Sequence, residues 1–130
     1  MTSAVTVLLA VSDPLQQALF VRALRRRDDL DVVATEQDGC QALDTVVRDV
    51  PDVAVVESGL PTLDGLSLCR RLAGRPEIAT RVLLLEGEPP VTRKQAVACG
   101  AAGCLPATVA ARDLCDAIAS IADGGTIFRT

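Results

Sequence analysis

The 130 residues carry seventeen acidic side chains against thirteen basic ones, no histidine, and a formal charge of −4. An acidic chain without a basic stripe is a poor nucleic-acid binder on its own. The absence of histidine removes the commonest general base, the commonest metal ligand and any histidine-centred triad. Nearly half the residues are apolar, yet only Phe20 and Phe128 are aromatic, so the core must be built from Leu, Val, Ile and Ala, a composition that suits buried strands covered by helices.

The length is that of one domain, 1–130, large enough to bury a core. No apolar run approaches the roughly 20 residues that cross a bilayer. Met1-Thr2-Ser3 does not begin a signal peptide, so a cytoplasmic protein without membrane contact is expected. The five cysteines (Cys40, Cys69, Cys99, Cys104, Cys115) are odd in number and include no C-x-x-C pair. Neither a zinc site nor a redox motif is indicated, and they read as small buried hydrophobes.

In chain order, Thr6 to Val11 is a short β-branched strand stopped by Ser12-Asp13-Pro14. Asp13 suits a helix cap, Pro14 the first helical position and Gln16 a capping-box partner, giving a helix to about Arg27. A second strand, Asp31–Thr35, leads to a helix near Cys40–Arg48 with Leu43, Val46 and Val47 on one side, ended by Pro51. Val53–Val56, apolar without alternation, is a strand buried on both faces. Pro61, Asp64 and Gly65 mark a loop into a helix with Leu66, Leu68, Cys69 and Leu72. Arg81–Leu85 is a fourth strand, Arg93–Cys99 a helix stopped by Gly100, and Gly103–Leu105 a brief fifth strand. Thr108 is the expected cap of a last helix with Leu114, Ala117, Ile118 and Ile121 on one face, closed by Gly124-Gly125. Five alternating β–α units predict an α/β fold: a doubly wound, five-stranded parallel sheet with helices on both faces. Function then belongs at the carboxyl ends of the strands.

Pro51-Asp52-Val53, Leu60-Pro61-Thr62-Leu63-Asp64-Gly65, Gly100-Ala101-Ala102-Gly103-Cys104-Leu105 and the ending Ala117–Gly125 resemble a response-regulator receiver domain. The resemblance runs from about Val5 to Phe128, and the ending is similar to the NarL/FixJ-like subgroup. It implies a receiver, flavodoxin-like fold in a two-component system serving transcription. It also implies a phosphorylation pocket, and there the sequence departs from the family. The two metal-holding carboxylates after the first strand are Val11 and Ser12. The phosphoacceptor Asp is Glu57, the Thr or Ser ending the fourth strand is Glu86, the Lys ending the fifth is Ala107 after Pro106, and the aromatic switch position is Cys104.

Magnesium binds through carboxylates in near-octahedral geometry, which Val11 cannot supply and Ser12 supplies poorly. Glu57 is longer than Asp by one methylene, about 1.5 Å, which spoils an in-line geometry built for the shorter chain. Without Mg²⁺ or Lys, nothing neutralises the transferring phosphoryl group. No catalysis, metal or cofactor is expected. Asp13 reads as a helix cap more than a ligand. A phosphomimic role for Glu57 lacks its Thr and Lys partners, leaving a hydrated carboxylate at a strand end as the plainer reading. If Glu57 and Glu86 approach to ~4 Å, they repel by about 4 kcal/mol at an effective dielectric of 20. One must then protonate, bind a cation or turn to solvent, unless Arg81 or Arg93 compensates. Ser12-Asp13-Pro14 lacks a flavin phosphate cradle, and the lack of histidine excludes His-ligated cobalamin.

The first helix has more apolar residues (Leu15, Ala18, Leu19, Phe20, Val21, Ala23, Leu24) than one core stripe uses. Val21 is the candidate for an outward residue, with Arg22 and Arg25 among a charged rim that is equally well read as a solvated face. The leading expectation is a phosphorylation-independent pseudo-receiver acting through homodimerisation or another partner. DNA would be reached only through a domain absent from this chain, since the sequence stops at Thr130, where the subgroup's linker to a helix-turn-helix domain would begin. The alternative is small-molecule sensing, of a pathway end product for example, in the crevice of Val11, Ser12, Asp13, Glu57, Glu86 and Ala107. A phosphoryl-accepting regulator using Glu57 is the remaining option.

Overall fold

A computed structural model describes residues 3–129. The strands are β1 (Val5–Ala10), β2 (Leu30–Glu36), β3 (Val53–Glu57), β4 (Arg81–Glu86), β5 (Gly103–Pro106) and β6 (Ile127–Phe128). Between them run α1 (Pro14–Arg25), α2 (Gly39–Asp49), α3 (Gly65–Ala73), α4 (Arg93–Ala98) and α5 (Ala111–Ala122). The sheet is parallel throughout, in the order β2-β1-β3-β4-β5-β6. Its reversal of direction after β1 puts helices on both faces.

Strand alternation divides the core in two. Val7, Leu9, Val53, Val55, Leu83 and Leu85 face α1 and α5, meeting Phe20, Leu24, Leu114, Ile118 and Ile121. Leu8, Ala10, Ala54, Val56, Val82 and Leu84 face α2, α3 and α4, meeting Ala42, Val46, Leu68, Leu72 and Ala96. Residues 53–56 are wholly buried, which is why they read as an unbroken apolar run.

Several sequence expectations are corrected. The sheet has six strands, not five, because Ile127 and Phe128 pair with Gly103 and Cys104 along the free edge of β5. The first helix ends at Arg25, where Arg26 and Arg27 close it with bonds to the Ala23 and Leu24 carbonyls. Arg27 then bridges to Asp29 at 2.9 Å and to Asp116 of α5 at 2.8 Å. Thr108 does not cap α5; the cap position is Ala110, without a side-chain bond. Among the described residues the complete capping box is instead at α4, where Thr92 and Gln95 satisfy each other's backbone N–H.

Val21 is not outside. It is half-buried against the core beside Phe20 and Leu24. At 100° per residue, the opposite side of α1 holds Leu15 and Leu19, which are 69% and 56% exposed. Arg22 and Arg25 are exposed as expected. Val47, expected with Leu43 and Val46 on the packed side of α2, is exposed too.

Candidate functional site

The carboxyl ends of β1, β3, β4 and β5 gather the crevice residues. Val11, one residue past β1, is wholly buried in the core on the α1/α5 side. Its backbone N–H donates to the Glu36 carbonyl, and its own carbonyl accepts from Gln17 Nε2 at 3.2 Å. Ser12 follows, half-buried. Its hydroxyl donates to Glu57 Oε1 at 2.6 Å, the length of a charge-assisted O–H···O⁻ bond. Glu57, which ends β3, is thereby held against the first strand's loop.

Asp13 is exposed and caps α1, its Oδ1 accepting from the Leu15 N–H at 3.0 Å. Gln16 does not complete a capping box. Its Nε2 crosses the crevice and donates to the Ala107 carbonyl at 2.8 Å, joining α1 to the loop after β5. Gln16 and Gln17 are site residues that sequence reasoning missed, while Ser58 belongs to one of the strand ends where function is expected. Ser58 is buried, and its Oγ accepts from the Gly87 N–H at 3.1 Å, tying the ends of β3 and β4. No sequence signal marks such bonds between polar side chains and distant backbone.

The expected encounter of Glu57 with Glu86 takes a different form. Glu57 is in register with Leu85, so alternation leans Glu86 to the other face of the sheet, that of Leu84 and Cys104. No hydrogen bond joins the two carboxylates. Arg81 does not compensate Glu86: it opens the strand that Glu86 ends, five residues or about 16 Å away, and donates to the Gly125 carbonyl. Arg93 stacks over the Phe128 ring, 5.7 Å from its centroid. Glu86 instead acts on Cys104, whose wholly buried thiol is pushed up to about 11, first by burial and then by the Glu86 charge. That thiol stays protonated and inert at neutral pH.

Among the described residues, no group of three or more His, Cys, Asp or Glu side chains is placed to hold a metal ion. Titration with Mg²⁺ to about 10 mM is expected to leave the melting temperature unmoved, since a ligand specific for the folded state would raise it. A saturable rise abolished by Glu86→Gln would reveal a cation site at the crevice. Two concave surfaces are present, the second reaching Ser58 at the end of β3. One of about 620 Å³ sits between α2 and α3, over Leu43 and Val47. Another of about 430 Å³ lies between α3 and the loop before α4.

A parallel α/β sheet in this order, with a carboxylate ending its third strand under the β1 and β4 loops, defines a receiver-type regulatory domain. The response regulator receiver domain family matches residues 7–119, and the chain belongs to that family. It is 34% identical over 102 residues to the probable transcriptional regulatory protein NarL of Mycobacterium tuberculosis, covering 78% of this chain and 47% of that protein. It is 32% identical over 84 residues to the Bordetella pertussis virulence regulator BvgA, covering 64% and 40%. The chain thus spans about half or less of the curated relatives it matches. Among solved structures, the receiver domain of the M. tuberculosis putative response regulator NarL superposes with a TM-score of 0.87 at 31% identity, covering 95% of this chain and 99% of that one. A LuxR-family regulator from Aurantimonas shares the fold at a TM-score of 0.86, 24% identity, and 96% and 89% coverage.

Proposed function

We propose that this receiver regulates transcription without accepting a phosphoryl group and without catalysis of its own, through contact with a second copy or another partner. The observation that carries this reading is the Ser12–Glu57 hydrogen bond of 2.6 Å. The carboxylate at the phosphoacceptor position is occupied by a neighbour standing where the family resemblance puts a metal-holding carboxylate. Val11, at the other such position, is core. DNA binding, on this reading, belongs to a separate domain.

The contact surface best supported is the outer side of α1. Leu15 and Leu19 stand four residues apart on it, both exposed, with Arg22 and Arg25 beside them. A twofold contact would pair this patch with itself. Sedimentation across a hundredfold concentration range is expected to show a reversible homodimer without any phosphodonor. Leu19→Glu should weaken it at least tenfold, about 1.4 kcal/mol, with an unchanged melting temperature in the monomer. Val21→Glu, by contrast, should unfold the domain. A chain that remains monomeric at the highest concentration would sink the homodimer.

That outcome would favour the second reading, a small-molecule sensor. Its support is Glu86, a half-buried carboxylate that engages no ion pair among the described residues. A ligand carrying hydrogen-bond donors is the chemistry such a group would take.

A further inference from the structure

The concave surface of about 430 Å³ between α3 and the loop before α4 contains a buried polar group that the receiver reading leaves unused. Ser58, directly after β3, is 3% exposed and lines it. Its Oγ accepts from the Gly87 N–H at 3.1 Å, but its own hydrogen makes no hydrogen bond among the described residues. A serine hydroxyl brings one donor besides its lone pairs. A buried donor left unpaired is costly, so this one calls for an acceptor from outside the chain.

The other polar groups of the pocket are divided in the same sense. Its side-chain carboxylate and amide oxygens are taken. Asp64 accepts from the Ser67 N–H at 2.9 Å and from the Ser67 hydroxyl at 3.0 Å, and Gln95 Oε1 accepts from the Thr92 N–H at 2.9 Å. That last bond orients the Gln95 amide and leaves Nε2, with two N–H groups, unbonded among the described residues. Arg70, exposed in α3, pairs with no carboxylate among them. Ser58, Arg70 and Gln95 therefore offer free donors and a positive charge. Asp64, the one acidic residue of the lining, is already held by two donors, and Glu86 ends β4 outside the lining. The rest of the wall is apolar. Val91 is 3% exposed, Leu66 is half-buried, and Pro89 and Pro90 add two rings that bring no backbone N–H.

We propose that this pocket binds a small organic anion, an apolar body ending in a carboxylate. The carboxylate takes the hydrogen bond that Ser58 lacks and answers the Arg70 charge, while the body covers Leu66, Val91 and the two prolines. The volume suits such a ligand, since small-molecule sites span roughly 300–1,000 Å³ and are mostly apolar with a few placed polar groups. A cation would find no free carboxylate there, and an inorganic anion would leave the apolar wall bare. The lining comes from the end of β3, from α3 and from the segment leading into α4, so an occupant ties these three elements together and stabilises the folded chain by mass action.

This site goes beyond the homodimer reading and differs from the Glu86 one, whose ligand would carry donors. Sedimentation tests the first and a donor-bearing ligand the second, so each can fail without the others.

The test titrates the whole 130-residue chain, isotope-labelled, with naphthoate and with octanoate while amide chemical shifts are followed. Saturable shifts are expected around Ser58, Leu66, Arg70, Val91 and Gln95, with a Kd of about 1 mM or tighter. Naphthalene carboxamide, naphthylmethylammonium and inorganic phosphate should each bind about tenfold more weakly or worse. Arg70→Ala should weaken naphthoate about tenfold without moving the melting temperature of the unliganded chain. Ser58→Ala should weaken both carboxylates as well. That change also releases the Gly87 N–H, so Arg70→Ala decides the matter if the Ser58 variant folds poorly. Absence of saturable shifts with both carboxylates up to about 10 mM would overturn the proposal. So would equal affinity for the amide, the ammonium or phosphate, unchanged naphthoate binding in Arg70→Ala, or shifts centred on Arg48, Arg71 and Arg75 between α2 and α3 instead.

Discussion

Incubated with acetyl phosphate and Mg²⁺, the domain is expected to keep its mass, with no species heavier by about 80 Da. Phosphoryl transfer to a carboxylate needs little covalent help. It needs cations that neutralise charge on the moving group, and a nucleophile aligned with the leaving oxygen. On the proposed reading the nucleophile position is Glu57, whose carboxylate already accepts a hydrogen bond from Ser12. Glu86, a second carboxylate, ends the neighbouring strand and leans to the other face of the sheet, and on the proposed reading Ala107 stands where the family resemblance puts a lysine. A dianionic donor entering this crevice meets repulsion instead of a clamp. Each 1.36 kcal/mol of lost stabilisation slows transfer tenfold, so a pocket without metal and lysine, as proposed, would not label on any practical timescale. The dimer fraction should be equally indifferent to the donor. A stoichiometric heavier species, absent from Glu57→Ala, would overturn the reading.

Val11→Asp is expected to cost roughly 3–5 kcal/mol of stability, the range for an uncompensated buried charge. Val11 is wholly buried and packs in the cluster that includes Phe20, Leu24 and Leu114. An aspartate there loses the valine's packing and exchanges water for hydrocarbon. Its carboxyl would be pushed above the ordinary value of about 3.9. The unfolded chain would then release the proton first, so the variant's stability should fall as pH rises from about 4 to the raised value. Urea melts of both proteins at pH 5 and pH 8 measure this. A cost below about 1 kcal/mol, or one independent of pH, would show that the position opens to solvent. Position 11 is thus continuous with the core.

The sheet was legible because burial on both faces leaves an uninterrupted apolar run. Val53–Val56 shows this, and the Leu114, Ile118, Ile121 stripe gives the helix above it. Helix phase was harder. Seven apolar residues on α1 fit several rotations, and only the packed neighbours decide that Val21 turns inward while Leu15 and Leu19 remain outside. The residues at the strand ends were legible by position, but their geometry was not. Gln16 looked like a local cap because short-range patterns are all that spacing reveals; its partner, the Ala107 carbonyl, is 91 positions away. Two residues such as Ile127 and Phe128 are too few to show a strand's period, and they become one only because β5 offers unpaired groups.

That last pairing matters for self-association of an unwanted kind. An open sheet has two borders, and a long bare border can recruit a strand from another molecule and seed aggregates. On the β2 side the border strand exposes Asp31 and Thr35, with the apolar Val33 exposed between them. On the β5 side the protein's own tail covers it: Phe128 lies along Cys104, and the Arg129 N–H donates to the Cys104 carbonyl at 2.8 Å. Arg93 seals the Phe128 ring from above. Cutting the chain before Ile127 would therefore strip a safeguard against clumping, and would also take one packed side chain from each half of the core, Ile127 from one and Phe128 from the other.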